Sequence, residues 1–254
     1  MMRGIWTCET VALMLVAAAV PVAAAWIWEE GITGLTRLLL TALIGGFWQA
    51  IFTIVRAQPP SVTGGISALA IAMLAPEAGP FQFALGVSFG FIFGELVYGG
   101  WGRSVLNPAV VAIMFIAFSF PTAAWPQVPV QVGWAVVPAA LLLLGLGIIQ
   151  WRVMLGAVGV LIFLGGFGLD LLTSATVFVL IFLVCDPATS ASTRWSRWAY
   201  GLLFGALVGL FASLWDAPSV QIAISAALLA TLTAPLLDEL SLALWRVTLR
   251  YRHG

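Results

Sequence analysis

Ten apolar runs take up most of this chain, and they constrain it more than any other feature. Hydropathy places them at roughly 8–27, 32–55, 61–76, 80–98, 105–120, 128–150, 153–169, 171–185, 197–214 and 218–236. A helix needs about 20 apolar residues to cross a bilayer. The runs predict an all-α integral membrane protein of about ten transmembrane helices. Composition agrees: 62% of residues are hydrophobic and 8% are charged, against about 25% charged in a soluble domain. A soluble fold and a disordered chain are both excluded. Nucleic acid is excluded as a partner, because the formal net charge is zero and lysine is absent.

The third and eighth runs hold only about 15 apolar residues each, short for a full crossing. Short spans in corresponding places of two halves point to broken helices and a central site. A weak repeat supports that reading. The segment from Thr63-Gly64-Gly65 runs apolar to Pro76 and is followed by Gly86 and Gly90. The segment from Thr173-Ser174-Ala175-Thr176 runs apolar to Pro187 and is followed by Gly201 and Gly205. Five spans separate the copies, so they have opposite orientation. The whole chain, 1–254, therefore reads as one polytopic membrane domain of two inverted five-helix repeats, about 8–120 and 128–236, with 237–254 as a cytoplasmic tail.

Arginine sets the orientation. With the N-terminus inside, nine of the ten arginines fall on the inner side, and Arg37 alone falls outside. The outer connections carry Glu29, Glu30, Glu77, Asp170 and Asp216. This asymmetry predicts that both termini are cytoplasmic. The start, Met1-Met2-Arg3, resembles a signal peptide, but Trp26-Ile27-Trp28 marks an interface and favours a retained first span.

Little is available for metal or histidine chemistry. Cys8 and Cys185 lie far apart and neither belongs to a C-x-x-C pair, which argues against an iron–sulfur or zinc site within this chain. The single histidine, His253, stands next to the last residue, which argues against bis-His haem and any His-dependent triad. Chemistry must rest on hydroxyls, amides, backbone and a few carboxylates, or on a bound organic cofactor.

Two inner breaks concentrate those groups. The first is Tyr98-Gly99-Gly100-Trp101-Gly102-Arg103-Ser104-Val105-Leu106-Asn107-Pro108. Its glycines permit unusual backbone and close approach to a ligand. Arg103 can pair with an anion or a carboxylate, and Asn107-Pro108 reads as a helix start. A tight turn with a positive-inside arginine explains most of these residues too. The second break is Cys185-Asp186-Pro187-Ala188-Thr189-Ser190. Asp186 can hold Arg103, Arg194 or Arg197, cap the following turn, or serve a cofactor or cation. Glu95, an acid in an otherwise uncharged span, is a third candidate. It stands four residues before the Gly99-Gly100 turn and so within reach of the interface.

These residues resemble a known family. Residues 83–121, with G-G-x-G-R-x-x-x-N-P-A and then F-x-F-P, together with residues 182–205, resemble the NqrB/RnfD family of membrane subunits. One branch of that family belongs to sodium-pumping NADH:quinone reductase and the other to the Rnf ferredoxin:NAD oxidoreductase. The resemblance implies a membrane subunit of an ion-translocating, flavin-dependent electron-transport complex. Such a subunit is not a complete enzyme alone and works with other membrane subunits. The resemblance also implies a bacterial cytoplasmic membrane and the lipid bilayer, with quinone or a cation as further partners. By this reading Gly99, Gly100, Arg103, Ser104, Asn107 and Asp186 form a site for a flavin, either riboflavin or FMN, held without a covalent bond. Ser104 stands where relatives often carry a second asparagine.

Relatives usually carry FMN esterified to a threonine in the outer loop after F-x-F-P. Here that loop is Thr122-Ala123-Ala124-Trp125-Pro126-Gln127 and lacks the attachment pattern. A looser match occurs at Asp170-Leu171-Leu172-Thr173-Ser174-Ala175-Thr176. Thr176 begins a span, where a phosphate is unfavourable, so covalent FMN at Thr176 is disfavoured. Two alternatives stay open: a solute or cation transporter or channel without redox chemistry, and a membrane scaffold that kept the fold.

Overall fold

The computed structural model describes residues 8–56, 62–166 and 168–253. Residues 1–7, with Arg3 and the signal-like start, lie outside the described residues, as do the side chains of Cys8, Arg250, Arg252 and His253. Among the described residues every regular element is helical, apart from one isolated bridge between Glu77 and Ala124.

In chain order the helices are α1 (Cys8–Arg56), α2 (Gly64–Leu74), α3 (Pro80–Phe91, continued by a π-helical turn Ile92–Leu96), α4 (Pro108–Ser119) and α5 (Val130–Gly145). Then come α6 (Trp151–Leu164), α7 (Ser174–Val179, continued by a π-helical turn Leu180–Val184), α8 (Arg194–Leu214) and α9 (Ser219–His253). Each of the ten apolar runs carries helix, because α1 holds the first two. Its limbs, 8–30 and 32–56, meet at Gly31, whose φ of 63° and ψ of −141° break the helix in a single residue. The expected outer loop at Glu29-Glu30 is therefore only a kink. The helix continues past the expected interfacial tryptophans: Trp26 is buried in the core, whereas Trp28 is exposed.

Among the described residues, three helices are long and apolar enough to cross a membrane: Glu9–Arg56, Arg194–Leu214 and Ser219–Arg246. The shortest of the others, Gly64–Leu74 and Ser174–Val184, have 11 residues each by their bounds, or about 16 Å at 1.5 Å per residue. That is near half the ~30 Å hydrocarbon core. Each starts after a threonine, Thr63 or Thr173, and each is followed within three residues by a proline.

Helix pairing follows one pattern in both halves. α1 packs on α2 as α5 packs on α7; α1 on α3 as α6 on α8; α2 on α4 as α7 on α9; and α3 on α4 as α8 on α9. The halves join through α1 with α5 and α4 with α9. Glycine sets the closest approaches, as expected where apolar burial gives helices no preference for each other over lipid. A Cβ on Gly86, Gly90 or Gly94 would lie 2.2–2.5 Å from Ile116, Ala112 or Pro108 of α4. A Cβ on Gly201 would lie 2.2 Å from the Val153 carbonyl of α6. The repeated glycine pairs thus do the same job against different partners. α9 runs on past the tenth apolar run to His253, so residues 237–253 continue the same helix.

Candidate functional site

The two inner breaks meet. Asn107 ends its loop in extended conformation and caps α4: its Oδ1 accepts the Ala109 N–H at 2.9 Å, and Pro108 takes the first helical position. Its Nδ2 donates to Asp186 Oδ2 at 3.3 Å. Asp186 follows the π-helical turn of α7, whose widened register shows in the Cys185 N–H bonding the Leu180 carbonyl at 2.9 Å. Asp186 Oδ1 accepts from Trp101 Nε1 at 3.3 Å and from the Ala188 N–H at 3.2 Å, and Oδ2 accepts from Thr189 Oγ1 at 3.4 Å. Asn107 and Asp186 are 5% and 7% exposed. A buried carboxylate without an ion pair is tolerable only with such a set of donors.

Gly99, Gly100 and Gly102 all have positive φ, at 103°, 94° and 91°. Side chains rarely adopt that geometry. The glycines wind the loop tightly around Trp101 and let its indole reach Asp186. Arg103, expected at this site, is exposed and is not among the partners of Asp186. Arg194 and Arg197 do not pair with Asp186 either; Arg197 Nε donates to the Ala191 carbonyl at 3.4 Å. Of the roles open to Asp186, the cap of the following turn is present, through Ala188 and Thr189, and amide and indole donors stand where an arginine was one option. Ser104 is buried, and its Oγ has no hydrogen-bond partner among the described residues.

A cavity of about 20 Å³ lies against this junction, lined by Thr63, Ser67, Trp101, Asn107, Phe182 and Asp186 among others. It has room for about one water or a bare cation. Organic ligands occupy roughly 300–1,000 Å³. Trp101, Thr63, Ser67 and Phe182 were not singled out for this site from sequence; the one signal for Trp101 is its glycine flanks. Glu95 sits in the π-helical turn of α3 and is 1% exposed, so it does not reach the interface as its position suggested. Irregular turns of this kind often mark function.

At the other end of the α7 segment from Asp186, Thr176 is 2% exposed. Its hydroxyl shares a 2.9 Å hydrogen bond with Thr173, whose Oγ1 also accepts the Thr176 N–H at 3.2 Å. Thr176 is thus tied into the capped start of α7. A larger cavity, about 330 Å³, lies between α4, α8 and α9, beside the 122–127 loop. Phe118, Trp125, Phe211 and Trp215 give it aromatic walls, with Gln221 and Ser225 as polar groups. Phe211 and Trp215 stack with centroids 4.3 Å apart and planes 2° from parallel.

At the arginine-rich end, Asp238 lies just past the tenth apolar run. Its carboxylate accepts from the Ser192 and Thr193 N–H groups at 2.9 Å each, and from the Ser192 and Ser196 hydroxyls. Burial acts to raise its pKa, but the hydrogen bonds from Ser196, Thr193 and Ser192 outweigh burial and hold it below the ordinary aspartate value. The bond set ties α9 to the start of α8.

Fold and site together define an integral membrane protein of all-α architecture, with short helices ending at buried polar breaks. The chain belongs to the NQR2, RnfD, RnfE family, whose model matches residues 2–134 and 127–243. The subunit lettered B in the Na(+)-translocating NADH-quinone reductase of Stutzerimonas stutzeri (strain A1501) is 26% identical over 280 residues, covering 84% of this chain and 69% of that protein. The proteins of the same name from Pseudomonas paraeruginosa (strain PA7) and Pseudoalteromonas atlantica (strain T6c) are 27% and 28% identical. They are aligned over 79% and 78% of this chain, and 65% and 64% of their own lengths.

Proposed function

We propose that this chain is a membrane subunit of an ion-translocating, flavin-dependent electron-transport complex in a bacterial cytoplasmic membrane. The observation that carries the reading is the family match across both halves, residues 2–134 and 127–243. Relatives bear the name of one subunit of a sodium-translocating NADH-quinone reductase, so the partners are other membrane subunits, with quinone and a cation as the small partners. Ten crossings in two inverted halves, both termini cytoplasmic, fit the recurring helix pairs and the arginine asymmetry.

Two places differ in their fit to a flavin. The inner junction, where Gly99, Gly100, Ser104, Asn107 and Asp186 were expected to hold one, leaves about 20 Å³ and suits a water or a cation. The 330 Å³ aromatic cavity suits a flat ring held without a covalent bond: Phe211, Trp215 and Trp125 supply faces and edges, and Gln221 and Ser225 supply hydrogen bonds. A flavin bound there supplies electron transfer. The protein's own part is to orient the ring and exclude water.

A second reading, a cation transporter without redox chemistry, draws on the two 11-residue helices and the carboxylate beside a water-sized cavity. The visible absorption spectrum of the protein, purified with its partner subunits through a tag on this chain and again alone, separates the two. A flavin band in both preparations supports the first reading, and a colourless chain supports the second.

A further inference from the structure

The arginine-bearing ends of α6 and α8 form a cluster that the electron-transport reading does not use. Arg152 lies over the Trp151 ring, 4.6 Å from its centroid. Trp151 meets Trp198 edge to face at 5.7 Å. Arg197 stands next to Trp198 in the chain, so both arginines belong to the same end of the α6–α8 pair. Asp238, an acid that attracts Arg197, also accepts hydrogen bonds from Ser192, Thr193 and Ser196.

The arrangement is built rather than incidental. A Cβ on Gly201 would lie 2.2 Å from the Val153 carbonyl, and one on Gly156 would lie 3.2 Å from the Trp198 carbonyl. The two backbones are thus in contact one turn from the arginines, and the guanidinium groups cannot drift apart by splaying the helices. Trp195 and Trp151 are 78% and 48% exposed, as residues are at headgroup depth. One turn deeper, Leu155 and Leu202 turn apolar surface outward.

We propose that Arg152 and Arg197 bind the phosphate of an anionic phospholipid, with its acyl chain along Leu155 and Leu202. Two arginines at one helix-pair end, flanked by exposed tryptophans, present positive charge where an anionic headgroup lies. Arginine suits phosphate because its planar fork matches the oxygens. Basic sites between helix ends at the membrane surface have this character. A free phosphate offers the same oxygens, but the exposed tryptophans and the flanking leucines favour a lipid.

The test uses the chain purified with its partner subunits and reconstituted in nanodiscs of phosphatidylglycerol or of phosphatidylcholine. Native mass spectrometry should find phosphatidylglycerol retained in preference, and Arg152→Gln should lower that preference about fivefold. Among the described residues Arg152 contacts the Trp151 ring and makes no hydrogen bond, so Arg152→Gln is expected to leave the fold intact, checked by an unchanged thermal midpoint. Arg246→Gln, which removes an exposed charge of the same sign, should leave the preference unchanged. Equal retention of the two lipids, or equal loss in both variants, overturns the site. Inorganic phosphate is the third arm. Failure of phosphate to displace the lipid supports the lipid source, and displacement at millimolar phosphate overturns it.

Discussion

The guanidinium of Arg37 donates to the carbonyl of Ala75. It also reaches the Pro76 carbonyl at 3.2 Å and lies over the Phe83 ring, 5.1 Å from the centroid. These carbonyls end α2, one of the two 11-residue helices. The end of a helix leaves carbonyls without partners, and a cation is well placed at that end of the dipole. Arg37 is the one arginine that breaks the inside rule, and its task explains the exception. Arg37→Leu is expected to lower stability by about 1–3 kcal/mol, read from thermal unfolding in detergent. Arg37→Lys is expected to restore part of the loss. An unchanged midpoint in Arg37→Leu would remove the capping account.

Asn107 has two tasks that substitution can separate. Asn107→Ser keeps an acceptor for the Ala109 N–H but loses the donor to Asp186, at an expected cost of about 1–3 kcal/mol. Asn107→Leu loses the cap as well, at roughly 1 kcal/mol more. The difference between the two midpoints isolates the cap. Equal midpoints would mean that the cap contributes nothing.

Much of this was legible in sequence, and the reason is physical. Apolar run length and proline position are local, so the runs and the breaks at Gly99–Asn107 and Asp186 appear where expected. Asn107 could be read as a cap because capping involves only its neighbours. Asn107 and Asp186 belong to one candidate site in the sequence, and capping of the next turn by Asp186 is local; the Trp101 indole, 85 residues away, has no signal but its glycine flanks. Arginine was one of several partners open to Asp186; indole and amide donors hold it instead, and the Gly99–Gly102 loop leaves Arg103 at the surface. Glu95 looked near enough to the interface to snorkel, yet its turn packs on Pro108 through Gly94. The role of Arg37 depended on where α2 ends, which hydropathy overestimated.

Gly94 should tolerate no side chain. Its Cβ would lie 2.5 Å from Pro108 Cα, a backbone atom that cannot yield. Gly94→Ala is expected to destabilise by roughly 1–3 kcal/mol. Gly46→Ala, where nothing lies within 4 Å, should be neutral or slightly stabilising. If both variants unfold at the wild-type temperature, α3 and α4 are not in backbone contact.

Asp238 gives a pH dependence with a definite sign. Its folded pKa lies below the ordinary value of 3.8. Its contribution is therefore complete above that value and is lost as pH falls through the lower folded value. Hydrogen exchange, corrected for intrinsic rate, should find the Ser192 and Thr193 amides protected at neutral pH and released in strong acid. Asp238→Asn should release them at neutral pH. Protection unchanged in that variant would mean that another group holds the start of α8.

The central claim is a flavin held by this chain without a covalent bond. The direct measurement is flavin per chain after acid precipitation, split between supernatant and pellet, in wild type and in Gln221→Leu. The account predicts flavin in the wild-type supernatant, no fluorescent band at this mass on a denaturing gel, and a several-fold lower content in Gln221→Leu. Flavin that stays in the pellet and vanishes in Thr176→Ala, or wild-type protein without flavin, would contradict it.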